Sequence, residues 1–171
     1  PGSHLSANSD LEWIEGVMAV VGDGRRRSWV MGICFGHQLI ARAFGGTVSR
    51  NPGGAGGWSW ESGAKTFSID TSVISASKSN ITCLTCHTQH VSKMPEAGGF
   101  QVWASNDRCH NQGMLSRERR IFTTQFHADL SKDYFCGTAR IRGADESVVR
   151  GVRESLLDDS EIAWIVRDLL A

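Results

Sequence analysis

The stretch that decides the fold is Gly32-Ile33-Cys34-Phe35-Gly36-His37-Gln38, which lies between an apolar run and a helical pattern. Residues Trp29 to Ile33 predict a short buried strand, and the apolar spacing that follows predicts a helix that Gly45-Gly46 ends. A cysteine at such a strand-to-helix corner faces the first amides of the helix, which favour a thiolate. Gly32 and Gly36 permit a tight turn and the close approach of a substrate. The pattern is typical of a nucleophile elbow with sulfur in place of oxygen, and it predicts an enzyme.

The composition excludes several classes of protein. The 171 residues suffice to bury a substantial core, and 18 Lys plus Arg balance 18 Asp plus Glu, so no net charge favours nucleic acid or anionic membrane. The run Arg25-Arg26-Arg27 predicts a solvated turn. No apolar stretch approaches the roughly 20 residues of a membrane span, no signal peptide is visible, and five irregularly spaced cysteines favour free thiols. We expect one domain over residues 1–171 in the reducing cytoplasm, without nucleic-acid or membrane partners.

Helical and strand-like patterns follow one another along the chain. Apolar spacing predicts a helix from Leu11 to Val21, with Ser9 and Glu12 as a capping box and Gly22 as its end. A series of β-like runs follows the elbow, and helical segments end the chain. The predicted strands are Thr66 to Ile69, Ile81 to Cys86, Phe100 to Ala104, Gly113 to Ser116 and Ile121 to Phe126, with a turn over Arg117 to Arg120. We expect an α/β, flavodoxin-like three-layer sandwich with a mainly parallel sheet.

A cysteine nucleophile needs a base, and the base needs an orienting group. Among six histidines, His127 is best placed because it directly follows the apolar run that ends at Phe126. Asp129 is two residues further on, close enough on a turning segment to hold the imidazole. The candidate catalytic residues are therefore Cys34, His127 and Asp129. Their plainer alternatives are a buried inert thiol, a structural histidine and a helix N-cap.

The elbow and the segment Thr124-Gln125-Phe126-His127-Ala128-Asp129 together resemble the class I glutamine amidotransferase family. Members of that family carry a G-x-C-x-G-x-Q elbow and, near the end, a histidine two residues before a carboxylate. The resemblance covers most of residues 9 to 130 and is nearest to the stand-alone GMP-synthase-like and γ-glutamyl peptidase-like group. Intermediate stretches also resemble family motifs: Gly45-Gly46-Thr47-Val48, Glu61-Ser62-Gly63, Cys86 to Val91 with Met94-Pro95, and Ala104-Ser105.

The resemblance implies that Cys34 attacks the side-chain carbonyl of glutamine or of a γ-glutamyl conjugate. A γ-glutamyl thioester forms, His127 protonates the departing amine, and water then releases glutamate. The backbone N–H of Phe35 and a donor from the Gly2 loop meet the oxyanion, and Gln38 supports the glutamyl pocket. The resemblance implies no cofactor and no metal, and it allows a synthase or acceptor partner.

Departures from the family pattern support a second hypothesis, a catalytically inactive or truncated scaffold. Asp129 and Ala128 stand where the family has glutamate and proline, and Gln89 stands where it has aspartate. Only 33 residues precede Cys34, whereas family members have about two further strand–helix units before the elbow helix. We therefore expect a domain that lacks the first strands of the family fold and begins at the oxyanion loop.

Two stretches suggest other ligands. Cys83-Leu84-Thr85-Cys86-His87 matches the C-x-x-C-H pattern of haem attachment, and His90 adds a further candidate zinc ligand. The β-like alternation and the missing signal peptide speak against haem, and the spacing is too compressed for a usual zinc site. The glycine-rich stretch Asn51 to Gly57 has no P-loop lysine and serine, so we do not expect a phosphate site there.

Overall fold

A computed structural model of the protein describes residues 1–53, 57, 59–141 and 144–171. Its elements form a mixed α/β arrangement. The helices are α1 (Glu12–Gly22), α2 (Phe35–Ala43), α3 (Lys132–Ile141), α4 (Glu146–Glu154) and α5 (Asp159–Leu170). The strands are β1 (Val30–Ile33), β2 (Thr47–Arg50), β3 (Glu61–Ile69), β4 (Asn80–His87), β5 (Gln89–Lys93), β6 (Gln101–Ser105), β7 (Gly113–Ser116) and β8 (Ile121–Thr124). Within the described residues, no helix is both long enough and apolar enough to cross a membrane.

Six strands form the main sheet, in the order β1-β8-β7-β6-β3-β4, and β2 pairs with β5 separately. Strands β1 and β8 run parallel, with Val30 opposite Ile121 and Ile33 opposite Thr124. The other pairings of the described strands are antiparallel. The sheet thus differs from the mainly parallel arrangement that we expected. The reason is local, because short connections such as the turn between β7 and β8 can join only antiparallel neighbours.

Helices cover both faces of the sheet, as the three-layer prediction requires. On one face, α5 packs Ile162 and Ile165 against Trp103 and Phe122. On the other face, Phe35 and Leu39 of α2 and Ile14 of α1 pack with Met114 of β7. Full burial of each such side chain stabilises the fold by about 1.5–3 kcal/mol.

An aromatic stack fixes the chain just before the predicted base. The rings of Phe67 and Phe126 lie 4.5 Å apart, and those of Trp103 and Phe122 lie 4.9 Å apart. Each such pair contributes about 0.5–1.5 kcal/mol beyond the area that it buries. Because Phe126 is fully buried, the backbone that leads into His127 has little freedom.

Several local predictions need correction. Helix α1 begins after Leu11, whose side chain makes no capping hydrogen bond, so the predicted Ser9–Glu12 capping box is wrong. The amide of Ser9 instead bonds to the Ser6 carbonyl in a preceding turn. Strands β2 and β5 and helix α3 were not predicted, because their short segments lack a clear apolar period. Part of the glycine-rich stretch Asn51 to Gly57, residues 54–56, lies outside the described residues.

Candidate active site

Cys34 lies at the corner between β1 and α2, where the sequence predicted the elbow. Its backbone has φ +52° and ψ −102°, a conformation that side-chain-bearing residues rarely adopt. Two hydrogen bonds hold it: the Cys34 amide donates to the Thr124 carbonyl at 2.8 Å, and the Gln38 amide donates to the Cys34 carbonyl at 3.1 Å. Such a backbone costs about 1–3 kcal/mol and persists only where its surroundings enforce it, which is common at functional sites.

Gly32 is required by the packing of this corner. A Cβ at this position would lie 2.4 Å from Cδ1 of Ile40 and 2.9 Å from the Gly36 carbonyl oxygen. Any side chain would therefore push α2 away from β1. The space at Gly36 is less restricted, because a Cβ there would lie at an ordinary contact distance of 3.6 Å from Pro1.

His127 faces Cys34 from the end of β8. Its amide donates to the Leu84 carbonyl at 2.7 Å, which ties the residue to β4. Its Nδ1 lies 3.0 Å from Oδ1 of Asp129. Gly2 lies between the two residues: a Cβ added to it would be 3.6 Å from His127 Nε2 and 3.8 Å from Cys34 Cβ. The imidazole thus has its Nδ1 on the carboxylate and its Nε2 on the side of the thiol.

The electrostatics of the site favour an imidazolium. Burial alone lowers the pKa of His127, but the Asp129 carboxylate and the Cys34 sulfur outweigh burial and raise this pKa to about 9. The hydrogen bond from His127 lowers the pKa of Asp129, against a smaller opposing effect of burial. At neutral pH the histidine is therefore protonated beside an ionised Asp129, which suits a group that donates a proton.

The three side chains line an open cavity of about 970 Å³. This volume lies near the upper end of the range for small-molecule sites. Gly2 and Gln38 contribute to the wall near Cys34. Trp60 and Tyr134 also line it, and both side chains are substantially exposed. The cavity wall therefore combines Cys34, His127 and Asp129 with two exposed aromatic side chains.

The comparison with known protein families agrees with this geometry. The sequence model of the family described as glutamine amidotransferase class-I matches residues 10–133, which are well over half of the chain. The chain belongs to the class-I glutamine amidotransferase family. The matched range contains Cys34, His127 and Asp129.

Curated relatives of this amidotransferase chain include proteins from yeast and archaea. A Saccharomyces cerevisiae protein provisionally named as a glutamine amidotransferase is 34% identical over 135 residues, which are 75% of this chain and 50% of the relative. One subunit of the glutamine-hydrolyzing GMP synthase of Methanococcus maripaludis is 32% identical over 102 residues, which are 60% of this chain and 51% of that subunit. The chain thus spans about half the length of these two relatives.

Solved structures confirm the fold class. A glutamine amidotransferase from Thermotoga maritima superposes with a TM-score of 0.75 at 15% identity, over 99% of this chain and 74% of that one. Another, from Methylobacillus flagellatus, gives a TM-score of 0.72 at 22% identity, over 98% of this chain and 70% of that one. At these identities the likeness concerns the fold, which is the predicted flavodoxin-like α/β class.

The predicted substrate-binding residues differ in how their side chains are placed at the cavity. Gly2 adjoins His127 so closely that a Cβ would lie 2.9 Å from Cε1 of that ring. Gln38 lines the cavity while its Nε2 donates to the Gln89 carbonyl at 2.8 Å and to Gln125 Oε1 at 3.0 Å. The Phe35 side chain instead packs in the core, 5.9 Å from the Trp13 ring, which leaves only its backbone N–H for the predicted role.

Sequence reasoning missed a second histidine–carboxylate pair beside the amidotransferase cavity. Glu61 and His87 are opposite each other on β3 and β4, with Oε2 and Nε2 3.3 Å apart, and both are almost fully buried. Asn106 and Gln112 donate to the two Glu61 oxygens at 2.5 and 3.2 Å. Burial raises the pKa of Glu61, but His87 and Asn106 outweigh burial and the pKa is lowered overall. Both residues lie in motifs noted above, but only the strand register brings them together.

The cysteines of the C-x-x-C-H stretch pack in different places. Cys83 belongs to the core cluster under α5, whereas Cys86 packs with the cluster under α3 and α4 and also lines the cavity. All five cysteines are free. Among the residues that the structure describes, no group of three or more His, Cys, Asp or Glu side chains could hold a metal ion.

Proposed function

We propose that the chain hydrolyses a γ-glutamyl amide, either glutamine or a γ-glutamyl conjugate, through a thioester on Cys34. The observation that carries the proposal is the convergence of Cys34, His127 and Asp129 on one cavity behind a strained elbow. Membership of the amidotransferase family supports the same chemistry.

In the first half-reaction the Cys34 sulfur attacks the amide carbonyl and forms a C–S bond. The oxyanion accepts a hydrogen bond from the Phe35 backbone N–H and another from the Gly2–Ser3 segment. His127 gives its Nε2 proton to the departing nitrogen, and the C–N bond breaks. The products are a γ-glutamyl thioester, a neutral imidazole and ammonia or an amine.

In the second half-reaction water attacks the thioester. His127, now neutral, takes a proton from the water, the C–S bond breaks, and glutamate leaves. The thiolate and the imidazolium are restored. Asp129 remains ionised throughout and holds the ring in the orientation that presents Nε2 to the reaction.

The shorter carboxylate at position 129 is compatible with this role. Its Oδ1 lies 3.0 Å from Nδ1 of His127, an ordinary hydrogen-bond distance, although the side chain is one methylene shorter than glutamate. The replacement therefore does not by itself disconnect the triad.

The partner, the location and the extent of the domain belong to the same proposal. A glutamine-hydrolyzing GMP synthase and a single subunit of such a synthase are among the relatives, so a synthase or acceptor partner for the ammonia is a natural extension. We place residues 1–171 in a single amidotransferase-like domain. A cytoplasmic location stays a prediction from the cysteine pattern.

Labelling with a diazo-ketone analogue of glutamine tests the proposal, with the intact mass as the readout. We expect one adduct per chain, its loss in Cys34→Ser, and its retention in Cys86→Ser, which changes the other thiol of the cavity. The same samples should release glutamate from glutamine, and Cys34→Ser should not. A folded wild-type protein that forms no adduct would favour the inactive scaffold instead.

A further inference from the structure

Two loops at one end of the sheet bring together six arginines. One loop, residues 23–29, joins α1 to β1, and the other, residues 117–120, joins β7 to β8. The strands that follow these loops are parallel neighbours, so the loops lie side by side. We call them the arginine loops; their arginines are Arg25, Arg26, Arg27, Arg117, Arg119 and Arg120.

Hydrogen bonds join the two arginine loops directly. Arg26 donates from Nη2 to the Arg119 carbonyl at 2.6 Å. In the opposite direction, the guanidinium of Arg120 donates to the Arg27 carbonyl. Arginines that are more than 90 positions apart in the sequence therefore form one surface.

The arginine loops carry an excess of positive charge on a chain that is neutral overall. Their acidic residues are Asp23, which accepts three hydrogen bonds from Arg25, and Glu118, which lies 3.4 Å from Arg119. In the described part of the chain, no carboxylate lies within 4.0 Å of the other four guanidinium groups. Within that part of the chain, four positive charges are thus left without a carboxylate partner.

Backbone carbonyls hold several of these guanidinium groups in place. Besides the two contacts between the loops, Arg117 donates to the Val73 carbonyl at 3.3 Å. Arg27, Arg117 and Arg120 are exposed. A fixed guanidinium loses less freedom when it binds, and its planar fork matches a carboxylate in two parallel hydrogen bonds.

An exposed apolar stripe leads into the arginine loops. Trp13, Val17 and Val20 are spaced by four and three residues, so they share one face of α1. Their exposed fractions are 48%, 40% and 68%. Because α1 ends at Gly22, the stripe runs directly into the first arginine loop.

We propose that the arginine loops and the α1 stripe together bind an acidic surface of a partner protein. An apolar strip with an aromatic residue, bordered by arginines, is the usual make-up of a protein–protein interface. The six arginines are confined to two short loops, whereas a nucleic-acid backbone is tracked by an extended positive surface. The charge of the loops therefore favours carboxylates on a protein.

The proposed surface is independent of the chemistry proposed for Cys34. The arginine loops precede β1 and β8, whereas Cys34 and His127 follow these strands. Each strand has four residues, so at roughly 3.3 Å per residue the arginine loops and the reactive groups are about 13 Å apart. The residues of the α1 stripe do not line the cavity either.

Fluorescence anisotropy with a labelled peptide tests the proposal. The probe is a 16-residue peptide of glutamate and leucine, with a lysine–leucine peptide and an oligodeoxythymidine of equal length as comparisons. We expect only the acidic peptide to bind, more weakly as salt rises from 50 to 300 mM. Arg27→Glu with Arg117→Glu should weaken this binding at least tenfold, and Val20→Ser several-fold.

Matched variants exclude effects of overall charge and of folding. Arg150→Glu with Arg167→Glu changes two exposed arginines of α4 and α5 and should alter binding less than twofold. Arg27→Gln with Arg117→Gln should give an intermediate loss if the acidic variant unfolds. Sedimentation should show that the chain does not self-associate through this surface.

Four results would overturn the proposal: no binding of the acidic peptide, tighter binding of the oligonucleotide, an equal loss in the α4–α5 variant, or self-association that the loop variants abolish. Adduct formation at Cys34 in the same variants reports separately on the proposed hydrolysis.

Discussion

Two histidine–carboxylate pairs in the described part of the chain differ mainly in their surroundings. His127 and Asp129 join at 3.0 Å, and His87 and Glu61 at 3.3 Å. The Asp129 side chain is 37% exposed, whereas that of Glu61 is 1% exposed. Both histidines line the same cavity, so their residue types and location alone do not separate their roles.

The partners of the two pairs separate their roles. Glu61 accepts hydrogen bonds on both oxygens, and His87 Nδ1 donates to the Gln89 carbonyl at 2.9 Å. A proton added to Glu61 would face an N–H donor at either oxygen, which is costly for a buried group. His127 instead has the Cys34 thiol on its other side and open cavity beyond it. We call His127 and Asp129 the open pair, which is suited to moving protons. We call His87 and Glu61 the closed pair, which is suited to holding β3, β4 and the Gln89 backbone in place.

The open pair should affect rate far more than stability. In Asp129→Asn the amide no longer balances an imidazolium, so we expect kcat/KM for glutamine to fall by about 10²–10⁴-fold. The free energy of unfolding should change by less than about 1 kcal/mol, because the carboxylate is more than one-third exposed. Glutamate release and urea unfolding measure the two effects.

Asp129→Glu is the matched control, since it keeps the charge and restores the family residue. It should recover most of the activity. An Asp129→Asn enzyme that works as well as the wild type would show that the pair has no part in the reaction.

The closed pair should show the opposite pattern. Glu61→Gln replaces one buried acceptor oxygen with an amide N–H that faces the donor of Asn106 or Gln112, and a buried polar group left unpaired costs about 1–3 kcal/mol. We expect this loss in the free energy of urea unfolding. Glu118→Gln removes a carboxylate that is 67% exposed and should cost no more than about 0.5 kcal/mol. Equal stability of the two variants would contradict a structural role for Glu61.

The open pair could be predicted from sequence, and the closed pair could not. The elbow and His127 are local patterns, since each follows an apolar strand whose end it marks. Glu61 and His87 are 26 positions apart, and only the register of β3 against β4 places them together. The same limit explains why the strand pairing of the sheet was predicted wrongly. The strands were largely located from sequence, but their pairing depends on contacts between distant segments.

Single-residue context accounts for the smaller errors. A Ser and a Glu at capping-box spacing suggested an N-terminus at Ser9, but the turn from Ser6 to Ser9 uses that amide, and α1 starts later. The role predicted for Phe35 concerns its backbone N–H and stays a prediction; its side chain is the first apolar group of α2 and packs inward.

The pH dependence distinguishes the open pair from ordinary histidines. The folded state raises the pKa of His127 from 6.5 to about 9, so the stability gained from its protonated form is fully present below pH 6.5 and is lost as the pH rises through 9. The pKa of Asp129 is lowered, so its contribution is present above pH 3.8 and is lost at more acidic pH. The pair is therefore complete from about pH 4 to about pH 9.

NMR titration of the imidazole carbons measures this directly. We expect the His127 signal to titrate near pH 9 and to shift towards lower pH in Cys34→Ser, because the sulfur contributes to the raised pKa. His37 is an internal reference: burial and the nearby charge of His87 lower its pKa to about 3, so it stays neutral over the same range. A His127 signal that titrates near 6.5 in both proteins would contradict the coupling.

The smallest expected effect concerns the cavity around the open pair. Tyr134 of α3 lines this cavity with a side chain that is 61% exposed. A γ-glutamyl anilide carries a ring where glutamine carries only the amide hydrogens, and we expect that ring to contact Tyr134. Tyr134→Ala should therefore lower kcat/KM for the anilide about 3- to 10-fold, which corresponds to one apolar contact, and leave kcat/KM for glutamine within about twofold.

Ile141→Ala, at an exposed position of the same helix, should change kcat/KM for neither substrate. Equal losses for both substrates would instead connect Tyr134 to the γ-glutamyl group or to the triad, since these are common to both reactions.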